Sequence, residues 1–141
     1  MMNKLKILIK FLFLGSIGGT VYVSLEFIWR GYSHWTMFLL GGICFICLGL
    51  INETLSWDTP LWKQMIIGGA IITVLEFITG CIVNLWLGWN VWNYTWKPNL
   101  WGQISLYSSI GWIALSAVGI VLDDYIRYWF FGEDKPRYKV F

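Results

Sequence analysis

Glu76 stands in the run Leu75-Glu76-Phe77-Ile78-Thr79-Gly80, inside a 23-residue segment, Met65 to Leu87, that carries no other charge. In a helix rising about 1.5 Å per residue, such a segment spans a hydrocarbon core of about 30 Å with Glu76 near its middle. A carboxylate at that depth is costly and must face protein, a partner group or water. The chemistry open to it is proton exchange, cation binding or an interhelical hydrogen bond. A second carboxylate, Glu26, lies in a similar apolar run and has Arg30 four residues on, the helical spacing of an ion pair. The position matching Arg30 in the later run is Gly80, so the two runs differ in charge. Glu26, Arg30, Glu76 and Asn84 are therefore the candidates for an ion, proton or polar-cavity site.

Other chemistry is missing. The chain has no G-x-x-x-x-G-K-[ST] phosphate loop and no G-x-G-x-x-G, so it is not by itself an ATPase of the P-loop kind. His34 is the only histidine, and Cys44-Phe45-Ile46-Cys47 is a lone C-x-x-C within an apolar segment. That pattern predicts neither a metal site nor a cofactor. Ser105, Ser108 and Ser109 lack a second histidine or an evident base, which leaves acyl transfer unsupported.

The elements that must position these residues follow from composition and hydropathy. With 57% apolar and only 13% charged residues, against about 25% charged in soluble domains, 141 residues make one integral membrane domain. The net charge of +2 gives no field for nucleic acid, and cysteines confined to apolar segments give no disulfide framework. Lys4, Lys6 and Lys10 followed by Phe11-Leu12-Phe13-Leu14 imitate a signal peptide, but the apolar run continues to Ile28 without a small-residue cleavage pattern, which predicts a retained first helix.

Four apolar segments predict an all-α protein with four transmembrane helices: about Leu8 to Ile28, Trp35 to Ile51, Met65 to Leu87 and Gln103 to Leu122. Lys4, Lys6, Lys10, Lys63, Arg127, Lys135, Arg137 and Lys139 fall on one side of such an arrangement, and Arg30 and Lys97 on the other. Eight against two places both termini in the cytoplasm of a cell-membrane protein. Gly18-Gly19 and Leu25-Glu26-Phe27-Ile28 recur 50 residues later as Gly68-Gly69 and Leu75-Glu76-Phe77-Ile78. This predicts two parallel-repeat hairpins, about 5–51 and 61–122, followed by an interfacial, mobile tail over 123–141.

Gly69, Thr73, Glu76, Gly80 and Asn84 succeed one another at spacings of four, three, four and four, one face of a helix. Ser105, Ser109, Trp112, Ser116 and Gly119 form a matching stripe. Such stripes pack helices closely or line a polar cavity. Gly19 and Gly69 are expected at equivalent close crossings, with Ile71 and Ile72 turned to lipid. Between the stripes, Trp86, Trp89, Trp92, Trp96 and Trp101 fall within 16 residues, accompanied by Tyr94, Lys97 and Asn99. These residues predict an aromatic belt or a short re-entrant cap, with a lipid headgroup or cationic ligand as the sharper alternative.

The runs Leu75-Glu76-Phe77-Ile78-Thr79-Gly80, Trp92-Asn93-Tyr94-Thr95, Pro98-Asn99-Leu100-Trp101-Gly102-Gln103-Ile104-Ser105-Leu106 and Ser109-Ile110-Gly111-Trp112 resemble the bacterial CmpB-type, ABC-transporter type IV family of membrane proteins and the vertebrate transmembrane protein 229 family. The second half of the chain carries most of the match. Where that family has Trp-Asp-Tyr-Ser, this chain has Asn93 and Thr95. The resemblance implies a small multi-pass membrane protein and assigns no activity to Glu76 or Trp92. The residues together predict a transport or channel-like component in the lipid bilayer, self-associated or joined to other membrane subunits. The alternatives are a scaffold subunit whose carboxylates only lock helices, or a lipid-handling protein.

Overall fold

In the computed structural model the chain forms four long helices: α1 (Lys4–Arg30), α2 (Trp35–Thr54), α3 (Leu61–Gly80) and α4 (Leu106–Phe131). A π-helical segment, Cys81–Trp86, continues α3. The structure describes residues 3–56, 58–95 and 97–139, and the main chain alone at Glu53; Met1, Met2, Trp57, Trp96, Val140 and Phe141 lie outside the described residues. All four helices are long and apolar enough to cross a membrane. Their outward residues include Ile28 at 83% and Val118 at 61% exposure, side chains that suit lipid and not water. Besides the helices there is a two-residue antiparallel pair, β1 (Asn99–Leu100) with β2 (Ile104–Ser105), and an isolated parallel bridge between Pro60 and Lys139.

Local signals explain the helix limits. Gly31 ends α1 in the left-handed region at φ 79°, its N–H donating to the Phe27 carbonyl at 3.0 Å, the usual glycine stop. His34 has a structural place as the N-cap of α2, its Nδ1 accepting from the Thr36 N–H at 3.2 Å. Ser105 caps α4 by accepting from the Ser108 N–H at 3.1 Å, and the Ser108 hydroxyl closes the capping box. α1, α2 and α4 are longer than the apolar runs expected for them, because polar residues continue the hydrogen-bonded pattern past the hydrophobic run. α4 reaches Phe131, nine residues beyond the expected Leu122.

The helices alternate in direction. Gly19 meets Phe38 and Gly15 meets Ile46, so α1 and α2 are antiparallel. Gly69 meets Ile113 and Thr73 meets Ser109, so α3 and α4 are antiparallel too. α2 lies inside, with Met37, Leu40, Cys44, Leu48 and Ile51 in the main core. An added Cβ at Gly19 would lie 2.6 Å from the Phe38 carbonyl oxygen, and one at Gly69 would overlap Ile113. Ile72 does not face lipid as expected. It is 8% exposed and packs in the core, since the turn that carries Gly69 and Glu76 inward carries Ile72 with them.

The tail differs as well. Leu61 N–H donates to the Lys139 carbonyl at 2.5 Å, Tyr138 packs on the core and Pro136 is buried, so residues 132–139 fold back beneath the bundle. Charge made this stretch look solvent-borne, but Glu133 pairs with Lys10 and Tyr138 donates to Asp124, both on the helix ends. Gly19→Leu and Gly69→Leu are expected to lower the thermal unfolding temperature in detergent, each costing about 1–3 kcal/mol or more because the helices must part. Ile66→Leu, at a half-exposed site on the same helix as Gly69, should leave it unchanged.

Candidate functional site

Glu76 projects from α3 into the bundle and is 2% exposed. Its stripe faces α4 and the connection that follows α3. The Thr73 hydroxyl shares a hydrogen bond with the Ser109 hydroxyl at 2.9 Å, and Gly68 and Ser116 meet one turn below. Trp112 Nε1 donates to Glu76 Oε1 at 3.2 Å, and the Tyr94 hydroxyl donates to Oε2 at 2.9 Å. Each carboxylate oxygen thus has one donor, from two different elements, and such bonds to a carboxylate are about twice as strong as neutral ones. Among the described residues, no ion pair reaches Glu76.

Tyr94 arrives there because the 87–105 connection folds into the bundle end. Asn84, on the π-helical segment, accepts from the Val91 N–H at 2.6 Å and the Trp92 N–H at 3.4 Å through Oδ1. Its Nδ2 donates to Gln103 Oε1 at 2.8 Å. Gln103, itself 2% exposed, lies over Gly80, where a Cβ would come 2.6 Å from its Oε1. Trp92 is buried and donates from Nε1 to the Gln103 carbonyl at 3.0 Å. Beyond it, Tyr94 N–H donates to the Gly102 carbonyl at 2.7 Å. Gly102 and Trp101 form the centre of a tight turn with φ of 74° and 54°, the primed-turn geometry of two-stranded hairpins. A side chain at Gly102 would run into Asn93.

Burial first, and then the Glu76 carboxylate, hold the Tyr94 phenol above its ordinary pKa. Glu26 and Arg30 form their own ion pair at 2.5 Å. Arg30 donates to the Val91 carbonyl at 3.4 Å, and its guanidinium stacks over Tyr32, so it serves the loop and not Glu76. Tyr22 of α1 packs edge-on against Trp112, ring centroids 5.7 Å apart.

The structure therefore gathers Glu76, Asn84, Gly80, Trp92, Tyr94 and Ser109 at one end of the α3–α4 hairpin. Glu26 and Arg30 flank them. Trp89 lies outside the group, 47% exposed and against His34 and Trp35. Asn99 accepts from the Gly102 N–H at 3.1 Å within the turn, Ser105 caps α4, and Gly19 belongs to the α1–α2 crossing.

A second polar group, at the end carrying the termini, was not expected. Asp123, Asp124 and Arg127 are 0%, 4% and 3% exposed. Arg127 Nε donates to Asp123 at 2.6 Å, Asn52 and Tyr138 donate to Asp124 at 2.6 and 2.8 Å, and Lys10 pairs with Glu133 at 2.6 Å. The signal for it was the i,i+4 spacing of Asp123 and Arg127 within a continuing helix. Gln64 is fully buried and donates to the Thr59 carbonyl at 3.0 Å.

Between the two groups lies a cavity of about 90 Å³ whose walls are almost wholly apolar, with Glu76 and Trp112 on its lining and Leu48, Ile72 and Gly119 among the remainder. No group of three or more His, Cys, Asp or Glu suited to a metal ion occurs among the described residues. In comparison with known proteins, the chain matches no family model, no curated protein and no solved structure.

Tyr138, like Tyr94, is held above the ordinary tyrosine value, by burial and then by its bond to Asp124. Folded Tyr94 and Tyr138 keep protons that the unfolded chain loses above about pH 10, so the stability they contribute is complete below that pH and falls as pH rises beyond it. Unfolding curves in detergent from pH 9 upward should show this fall, and it should be shallower in Tyr94→Phe and Tyr138→Phe.

Proposed function

We propose that the protein is a transport or channel-like component of the cell membrane in which Glu76 is the cation- or proton-binding group. The observation that carries this reading is a buried carboxylate that no ion pair reaches among the described residues, placed where an inward-folded loop meets a cavity. Intramembrane carboxylates that face protein or a cavity mark ion and proton pathways. The resemblance to the CmpB-type and transmembrane protein 229 families agrees with a small multi-pass membrane protein. In this reading the two hairpins are parallel repeats, both termini are cytoplasmic, and the aromatic connection lies outside. A cavity of about 90 Å³ is too small for a complete path, so a second copy or another membrane subunit supplies the opposite wall.

A scaffold role is the second reading, favoured by the two hydrogen bonds through which Glu76 ties α3, α4 and the loop together. Glu76→Gln separates the two. Trp112 can only donate, whereas the Tyr94 hydroxyl can also accept, so a glutamine can take the Trp112 proton on its oxygen and donate to Tyr94 through its nitrogen. The variant should unfold near the wild-type temperature. Proton and cation flux in liposomes should nevertheless fall to the level of empty vesicles, because the titrating charge is gone. Wild-type flux in Glu76→Gln removes Glu76 as the site, and no flux in the wild type favours the scaffold.

Orientation is tested separately by Thr95→Cys, an exposed loop position, in a background without Cys44, Cys47 and Cys81. An impermeant thiol reagent should label it on intact cells. Labelling only after lysis would reverse the topology.

A further inference from the structure

We propose that the cleft between α1 and α4 binds a lipophilic organic ammonium that enters sideways from the bilayer and places its cationic head against Glu76. This rests on the reading of Glu76 as a cation site and specifies the chemical class of the cation. The two helices approach each other through Phe13 against Phe130 and Phe131 at the terminal end, with ring centroids 5.6 and 5.8 Å apart, and through Tyr22 against Trp112 further along. Val21 and Val118 belong to the lining of the same cavity that reaches Glu76, and they are 41% and 61% exposed on the outer surface. In a membrane-spanning bundle that outer surface is hydrocarbon, so the cavity opens to lipid.

Charge and wall chemistry select the occupant. Glu76 repels an anionic head. Its two oxygens each accept a single hydrogen bond, and a carboxylate oxygen has lone pairs for more, so an N–H donor from a ligand can be added without displacing Tyr94 or Trp112. The aromatic rings of Tyr22 and Trp112 on the lining favour a cation where water is excluded.

An inorganic cation is poorly served, because hard ions need six or more oxygen ligands to replace their water and the walls here are apolar. An organic ammonium needs only one counter-charge and gains from the apolar walls. A volume of about 90 Å³ equals about three waters at about 30 Å³ each, room for an ammonium head and its first carbons. The rest of an unbranched chain would lie in the cleft between Val21 and Val118.

The test uses the full chain in phosphatidylcholine nanodiscs and three probes of equal length, decylammonium, decanol and decanoate, each carrying a diazirine in mid-chain. On illumination, decylammonium should label peptides bearing Val21 or Val118 about ten-fold more than the other two, the preference expected from one added charge contact. Glu76→Gln should reduce its labelling to the decanol level. Val118→Trp, which fills the mouth without touching Glu76, should reduce it as well while leaving the unfolding temperature near that of the wild type. Equal labelling by decanol and decylammonium, or labelling indifferent to both substitutions, overturns the proposal.

Failure here is distinguishable from failure of the transport reading. Glu76-dependent flux of protons or alkali cations without ammonium labelling sinks the ammonium site alone. Selective labelling without flux of any cation supports the site and sinks transport.

Discussion

A carboxylate inside a helix long enough to cross a membrane has to be satisfied by protein, and the architecture around α3 follows from that demand. Removing such a charge from water costs several kcal/mol even after relaxation, and no lysine, arginine or histidine pairs with Glu76 among the described residues. Two neutral donors do the work instead. Trp112 comes from the facing helix by simple periodicity, one turn from Ser109, which itself meets Thr73. Tyr94 comes from outside the helices, and bringing it in requires the connection to fold inward around Val91, Trp92 and Gln103, all of them buried.

Apart from the short β1–β2 pair, that inward fold is built from backbone groups with no helix or sheet to satisfy them. Buried irregular backbone is tolerated only where protein groups satisfy it. The change from α to π winding at Cys81–Trp86 turns Asn84 to where its oxygen takes the Val91 and Trp92 amides while its nitrogen holds Gln103. Insertions of this kind are frequent at functional sites. Gly80 leaves the space that Gln103 fills. Arg30, steadied by Glu26, adds the Val91 carbonyl from the other hairpin. A local need at one carboxylate is thereby spread over both hairpins and the turn around Gly102.

The helical parts of this arrangement were legible in the sequence. The stripe from Gly69 to Asn84 and the stripe from Ser109 to Gly119 keep strict helical spacing, and small residues have no other reason to repeat so regularly on one face. The connection was legible only as an aromatic-rich segment, because Tyr94 and Glu76 are joined through irregular backbone that carries no period. Asp123, Asp124 and Arg127 fall in the stretch expected to be an interfacial tail. Charge indicates exposure only when no partner is within reach, and here Asn52, 72 residues away, and Tyr138 reach Asp124 while Lys10 reaches Glu133. The folded tail was hidden for the same reason.

The central claim is that Glu76 and Tyr94 form one structural unit, and a double-mutant cycle tests it most directly. Unfolding free energies in detergent would be measured for the wild type, Tyr94→Phe, Glu76→Leu and the double variant. If the hydroxyl and the carboxylate depend on each other, each single change strands a buried polar group and the pair of changes does not. The double variant should then cost less than the sum of the singles, by about 1 kcal/mol or more. Strict additivity would show that Tyr94 and Glu76 act independently and would contradict the account.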